Sequence, residues 1–369
     1  MKFDVSQRRM YLLALIVLLV AIALVCVWRL WLVDGGGGLS PEPTVAPAVS
    51  PGATELALDV TVAPTEKGGT QVTAGVGTVV YYQDNYGYLV PVMCTVPLEE
   101  GIAKATLGLM VQSSKNDMQA ARLGLRTVIP EQVTMDLDIE GGRARIDLSE
   151  DALNVHDAAA EANMISAIVQ ALTEFESVQS VEFLFGGQKL ETLKFGTNVS
   201  SVFTRGDINL EATSVSASAA GNAVKMTLYF PGEAGSVVVP VTRLVFSEPD
   251  INTAVLELAK GPASDALEEA LPSGCGLIGV SVEDGVAHVN FTREFMQIVD
   301  NVDGGRIALK ALVLTCTQFE GVESVRIFVE GEPYDPGTGT LITPSFANIA
   351  GDIESDYIQT QSSMIFDDD

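Results

Sequence analysis

Hydrophobic and polar positions along the chain fall into two runs that repeat each other. Strand-forming apolar stretches lie over 79–82 and 88–96 in the first run and over 226–230 and 237–246 in the second, so each run opens with a β-hairpin. A helix follows in each, with Ile102, Thr106, Leu109 and Met110 on one side in the first run and Ile251, Val255, Leu258 and Ala259 in the second. Gly261 and Pro262 stop the latter helix. The next element is another hairpin, turning on Gly141-Gly142 or on Asp284-Gly285, pairs that accept the positive φ of a type I′ turn. This turn predicts Ile139 opposite Ala144, Leu137 opposite Ile146 and Met135 opposite Leu148. In the second run it predicts Val282 opposite Ala287, Val280 opposite Val289 and Ile278 opposite Phe291. One sheet face is therefore apolar, while the other carries Asp138 against Arg145 and Glu140 against Arg143 and faces water.

A second helix stripe runs through Ile165, Ile168, Val169, Leu172 and Phe175, and again through Leu309, Leu312, Val313, Cys316 and Phe319. Strands using Val181, Phe183 and Phe185, or Val325, Ile327 and Val329, close the runs. The duplication is visible directly, since TEFESVQSVEFLFGG at 173–187 lies against TQFEGVESVRIFVEG at 317–331, and Pro91 lies against Pro240. The order β-β-α-β-β-α-β, with two helices covering one apolar sheet face, predicts an α+β class: two tandem two-layer α/β modules, at 76–203 and 222–345.

The flanks differ from the modules. Residues 10–28 read MYLLALIVLLVAIALVCVW without a charge, enough helix for a bilayer core of about 30 Å. Lys2, Arg8 and Arg9 precede this stretch, which predicts a cytoplasmic N-terminus over 1–9, a transmembrane helix over 10–33 and everything else outside the cell membrane. A cleaved signal peptide would end in small residues, whereas Trp28, Arg29, Leu30 and Trp31 stand there. Residues 34–75, with Gly35 to Gly38 and five prolines, form the expected linker, and 346–369, ending in three aspartates, an acidic tail expected to fray.

A formal net charge of −27 disfavours a nucleic-acid partner. Outside the apolar segment only Cys94, Cys275 and Cys316 remain, without metal spacing or an even count. His156 and His288 belong to no nucleophile or metal motif, and Cys275 lies in a Pro-Ser-Gly turn with nothing basic beside it. No phosphate-binding loop is present: Gly35 to Gly38 has no Lys-Ser/Thr after it. The expectation is a non-enzymatic chain with no catalytic residue, cofactor or metal.

The stretch ALPSGCGLIGVSVEDGVAHVNFTREF at 270–295 resembles the signature of the GerMN domain, as do VVVPVTRLVF and the LELAKGP end of the helix at 256–262. The first run keeps RIDLSED at 145–151 but lacks the Leu-Ala-Lys-Gly-Pro stop and the Pro-Ser-Gly loop. Two such modules behind an N-terminal anchor resemble the GerM family of sporulation and germination proteins over roughly residues 76–345. The resemblance implies a place between mother cell and forespore, association with a secretion-like channel apparatus, and modules similar to ring-building folds of secretion systems. The implied partners are proteins of that envelope complex, with homo-oligomers open. The chain departs from the better-known pattern in having a membrane span where a lipid-modified cysteine is usual. Because the second run carries most of the signature, an interaction surface is expected around Pro272, Gly274, Asp284 and Gly285. The alternative is a cell-wall or small-ligand sensor binding peptidoglycan, with Tyr81, Tyr82, Tyr86 and Tyr88 available to stack on sugars.

Overall fold

A computed structural model of the chain describes residues 75–97, 101–211, 223–233, 237–299, 302–345 and 348–350. The transmembrane helix expected over 10–33, and the linker up to residue 74, lie outside the described residues. No helix among the described residues is long and apolar enough to cross a membrane.

The first module runs β1 (Gly75–Gln83), β2 (Leu89–Pro97), α1 (Ile102–Leu109), α2 (Ser114–Ala121), β3 (Met135–Glu140), β4 (Arg143–Leu148), a 3-10 turn (Glu150–Leu153), α3 (Ala158–Leu172) and β5 (Ser180–Phe185). The second runs β6 (Val224–Pro231), β7 (Val238–Val245), α4 (Ile251–Ala259), β8 (Leu277–Glu283), β9 (Val286–Phe291), a 3-10 segment (Arg293–Val299), α5 (Val302–Thr317), β10 (Ser324–Val329) and β11 (Glu332–Pro333). The predicted order holds, with one helix added in the first module and a two-residue strand, β11, added at the end of the second. That helix, α2, buries only Asn116 and Ala120 and has no apolar stripe to betray it; its one local signal is Ser113, whose hydroxyl accepts from the Asn116 N–H at its N-terminus.

Side-chain volume and the turns together set the sheet registers. In the first module Ile139, Leu137 and Met135 face Ala144, Ile146 and Leu148 as predicted. In the second, Val282 and Val280 face Ala287 and Val289, but Leu277 rather than Ile278 meets Phe291. Ile278 is the extra residue of a bulge beside Gly279 and turns toward solvent, a distortion that a glycine without Cβ permits. The closing strands β5 and β10 run parallel to β4 and β9, so α3 and α5 serve as their crossovers. Asp157 and Asp250 cap α3 and α4, accepting from the N–H groups of Ala160 and Thr253 at 2.7 Å.

Two expectations change. The buried side of α1 is Ala103, Thr106 and Leu107, followed by Met110, with Ile102 and Leu109 only half buried. Thr106 goes inside because its hydroxyl is satisfied by Thr78 Oγ1 at 2.7 Å and donates to the Ile102 carbonyl at 2.9 Å. The other change concerns the opening hairpins. β1–β2 and β6–β7 are separate two-stranded ladders, not bonded to the sheets β3-β4-β5 and β8-β9-β10-β11. Each helix of the pair common to both modules, α1 and α3 or α4 and α5, touches both the hairpin and the sheet of its module. Hairpin residues Val80, Tyr81 and Tyr82 are consecutively buried, as a strand covered on both faces requires. The apolar sheet face is less fully covered at the edge strands, where Ile139 is 38% and Val282 43% exposed.

Candidate interaction surfaces

The two modules meet along the outer edges of β2 and β7. Asn209, beyond the first module, donates from Nδ2 to the carbonyls of Leu89 (2.8 Å) and Pro240 (2.7 Å), while its Oδ1 accepts from the Leu89 N–H (2.8 Å). Asn348, beyond the second, donates to Val238 (2.8 Å) and Pro91 (2.9 Å) and accepts from the Val238 N–H (2.7 Å). The two sets map onto one another when the modules are exchanged. One asparagine joins Leu89 to Pro240 and the other joins Pro91 to Val238, so β2 and β7 pass in opposite directions around a pseudo-twofold axis.

Each asparagine opens a short strand that crosses to the opposite module. Met93 donates to Asn348 O (2.8 Å) and accepts from Ala350 N–H (2.9 Å); Thr242 donates to Ile208 O (3.0 Å) and accepts from Glu211 N–H (2.9 Å). The tail expected to fray from residue 346 therefore contains a docked segment: Asn348 is 5% exposed and holds Pro91 across most of the chain. These contacts explain both prolines. Pro91 and Pro240 point their edge at the opposite strand, where an N–H would meet no acceptor and the carbonyl is taken by an asparagine. They also explain why the hairpins do not join the sheets, since the outer edges of β2 and β7 are already occupied.

The opposite hairpin edges are covered within each module. Gln83 and Arg126 exchange backbone hydrogen bonds at 2.9 Å, and on β6 the Thr315 hydroxyl accepts from Tyr229 N–H (3.2 Å) while Gln318 donates to Thr227 O (2.8 Å).

One buried ion pair breaks the symmetry. Glu211, in the segment that crosses from the first module, takes Arg243 of β7 in a two-pronged contact, Nε to Oε2 at 2.6 Å and Nη2 to Oε1 at 2.9 Å. Arg243 also donates to the carbonyls of Glu257 and Gly261, each at 2.8 Å. These belong to the end of α4, where Gly261 at φ +78° turns its carbonyl toward the guanidinium. The Leu-Ala-Lys-Gly-Pro stop, read in the sequence only as a helix end, is also half of an inter-module joint.

The four residues singled out from the sequence lie apart. Asp284 and Gly285, at φ +50° and +78°, form the tip between β8 and β9, and Pro272 and Gly274 lie in the loop joined to the other end of β9, where Thr292 N–H donates to Gly276 O at 2.9 Å. The Gly285 carbonyl accepts from Glu323 (2.7 Å) and Ser324 (3.2 Å), and in the first module Gly142 accepts from Gln179 (2.7 Å) and Ser180 (3.1 Å). Both tips thus dock the start of the closing strand in the same way. The four tyrosines are dispersed as well. Tyr81 and Tyr82 are buried, with the Tyr81 hydroxyl donating to Glu174 Oε1 at 2.6 Å, and only Tyr86 is widely exposed, bonded to Glu233 of the other module at 2.8 Å.

Reactive groups are subdued. Burial, and then the charge of Glu294, push the Cys275 thiol up to about 12; burial does the same to Cys316. His156 stands exposed beside Asp157, and His288 packs its ring on Phe328 at 5.4 Å. Among the described residues no cluster of His, Cys, Asp and Glu is arranged to hold a metal. An open depression of about 530 Å³ beside α1 is lined by Lys104, Ser113, Asn116 and Met135 among others, and no carboxylate, histidine or cysteine faces it.

A sequence profile described as Germane, sporulation and spore germination, matches residues 79–191 and 227–335, once per module. The chain belongs to the Germane family. Within it, the spore germination protein GerM of Bacillus subtilis (strain 168) is 28% identical over 271 residues, covering 71% of this chain and 74% of that protein. The solved tandem GerMN domains of the sporulation protein GerM from Bacillus subtilis superpose with a TM-score of 0.62 at 26% identity, covering 76% of this chain and 100% of that one. The chain is accordingly a GerM-like sporulation and germination protein with tandem GerMN domains. In the Germane frame, the two profile matches end before Asn209 and Asn348, so the clasping asparagines lie outside both matched segments while their backbone partners on β2 and β7 lie within them.

Proposed function

We propose that this Germane-family chain is a non-catalytic assembly protein of the sporulating cell's envelope, anchored to the membrane through residues 10–33 with its modules outside. Its partners are proteins of a complex between mother cell and forespore. The observation that carries the reading is the reciprocal clasp of Asn209 and Asn348, which makes the tandem modules one jointed unit presenting two sheets, a design suited to binding rather than turnover. The uncharged run at 10–28 supports the anchor, and the raised thiol pKa values of Cys275 and Cys316 support a non-catalytic role. The sensor reading is disfavoured, because Tyr81 and Tyr82 are buried and unable to stack on a sugar.

The test is a fluorescent fusion followed through sporulation, with in-cell crosslinking from the module surfaces. Enrichment at the septal and engulfing membranes, with a defined crosslinked product, is expected. Uniform cytoplasmic fluorescence, or normal engulfment and germination in a deletion strain, would refute the proposal.

A further inference from the structure

The solvent faces of the two sheets can be compared row by row, because the modules share a register. In the first module one row across the sheet reads Asp138, Arg145 and Glu182. Its charges are matched internally: Glu182 meets Arg145 at 3.9 Å and Lys189 at 2.7 Å. The equivalent row of the second module reads Ser281, His288 and Arg326. The central acid–base–acid arrangement has become one with no acid, and the closing-strand position has reversed its charge from Glu182 to Arg326.

Arg326 is left unmatched. Its Nε is buried without a hydrogen-bond partner, and the guanidinium forms no ion pair among the described residues. Three other arginines of this acidic chain do meet acids: Arg145 with Glu182, Arg205 with Glu174, and Arg243 with Glu211. The nearest acid along the outer face of β8 is Glu283, one row farther on and two strands away, beyond ion-pair reach at about 4.8 Å per strand. A buried guanidinium N–H with no acceptor costs free energy, which an acceptor that draws the half-buried Arg326 side chain outward would remove. Beside it, the His288 and Phe328 rings lie 5.4 Å apart and form an apolar wall that strengthens a charge contact by excluding water.

We propose that this face of the second module, centred on Arg326 with His288, Phe328 and Ser281 around it, binds a carboxylate on a short segment of a partner protein. The planar fork of arginine matches a carboxylate in two-pronged fashion. The net charge of −27 selects among anions: a densely charged polyanion is repelled by the whole chain, whereas a peptide with one or two carboxylates meets the local cation with little long-range opposition. This goes beyond the envelope role, since it concerns a purified protein and a peptide and stands or falls independently of where the chain resides.

Fluorescence anisotropy of a dansyl-labelled Ser-Glu-Glu-Ser peptide, titrated with the detergent-solubilised full chain, tests it. Saturable binding is expected, weakened about tenfold or more by Arg326→Gln, the loss of one charge-assisted contact, and partly retained by Arg326→Lys. Arg145→Gln in the first module should leave binding unchanged, and a Ser-Gln-Gln-Ser peptide should not bind. As a check independent of any variant, the peptide should protect Arg326 of the unaltered chain from phenylglyoxal, read by mass spectrometry. Absence of saturable binding, equal loss in Arg145→Gln, or no protection of Arg326 would overturn the proposal. So would inorganic phosphate protecting Arg326 where the peptide does not.

Discussion

Replacing Asn348 with leucine, of similar size, isolates the contribution of the clasp. The side chain makes three hydrogen bonds, to Val238 N–H (2.7 Å), Val238 O (2.8 Å) and Pro91 O (2.9 Å), and is 5% exposed. At about 1 kcal/mol per bond the loss is about 3 kcal/mol if water reaches the vacated backbone groups, and about 6 kcal/mol if they stay dry, since an unsatisfied buried group costs about 2 kcal/mol. For a unit of this size about 3 kcal/mol lowers Tm by about 6–12 °C. Thermal melts followed by circular dichroism should show this drop, together with separation of one transition into two as the modules uncouple. Asn209→Leu should destabilise as well: Asn209 is only half buried and its backbone partners are easier to hydrate, but it holds φ +50°, where leucine adds about 1 kcal/mol of backbone strain. Asn252→Leu, on the exposed side of α4, is the control and should stay within about 0.5 kcal/mol. A Tm for Asn348→Leu equal to that of the control would mean that the segment does not join the modules, and the reasoning would fail.

Other consequences can be measured alongside. Glu211→Gln removes the two-pronged partner of the buried Arg243 and leaves it, as an ion pair, only the 3.4 Å contact with Glu257, which should destabilise the protein by about 2–3 kcal/mol in denaturant melts, whereas Lys225→Gln, whose pair with Asp207 is exposed, should cost under about 1 kcal/mol. Burial alone would raise the Glu161 carboxyl, but the N–H groups of Phe195 and Thr197, each at 2.9 Å, outweigh it and hold the group below its ordinary range. A depressed folded value means the contribution is whole above the unfolded pKa of about 4.3 and fades as pH falls through the folded value; Glu161→Gln should be less stable at pH 7 and lose less stability on acidification, as urea melts from pH 7 to 3 would reveal. Gly285→Val and Gly142→Val should each lose about 1–2 kcal/mol, because both positions hold positive φ. A loss confined to Gly285 would show that the two tips differ in more than their side chains.

The legible part of this fold is the part governed by local periodicity. Alternation in β4, β5, β9 and β10, and the stripes of α3 and α5, appear in the sequence because each apolar residue buried there lies on the same face as its neighbours two, three or four positions away. Ile278 escaped because a bulge leaves no mark in alternation beyond an adjacent glycine, and α2 because a helix packed through Asn116 and Ala120 carries no stripe. The surface expected at Pro272, Gly274, Asp284 and Gly285 rested on motif strength, and motif strength in a turn reports backbone geometry as readily as contact with a partner.

By itself the sequence determined that the chain holds two copies of one α/β module, and where the turns of each copy fall, because duplication and positive-φ turn pairs are written in contiguous residues. Tertiary structure alone decided how the copies are joined. Asn209 and Asn348 are ordinary polar residues in polar stretches, and nothing near them signals burial. Their importance comes from backbone groups on Leu89, Pro91, Val238 and Pro240, far away along the chain, whose outward edges would otherwise lack partners.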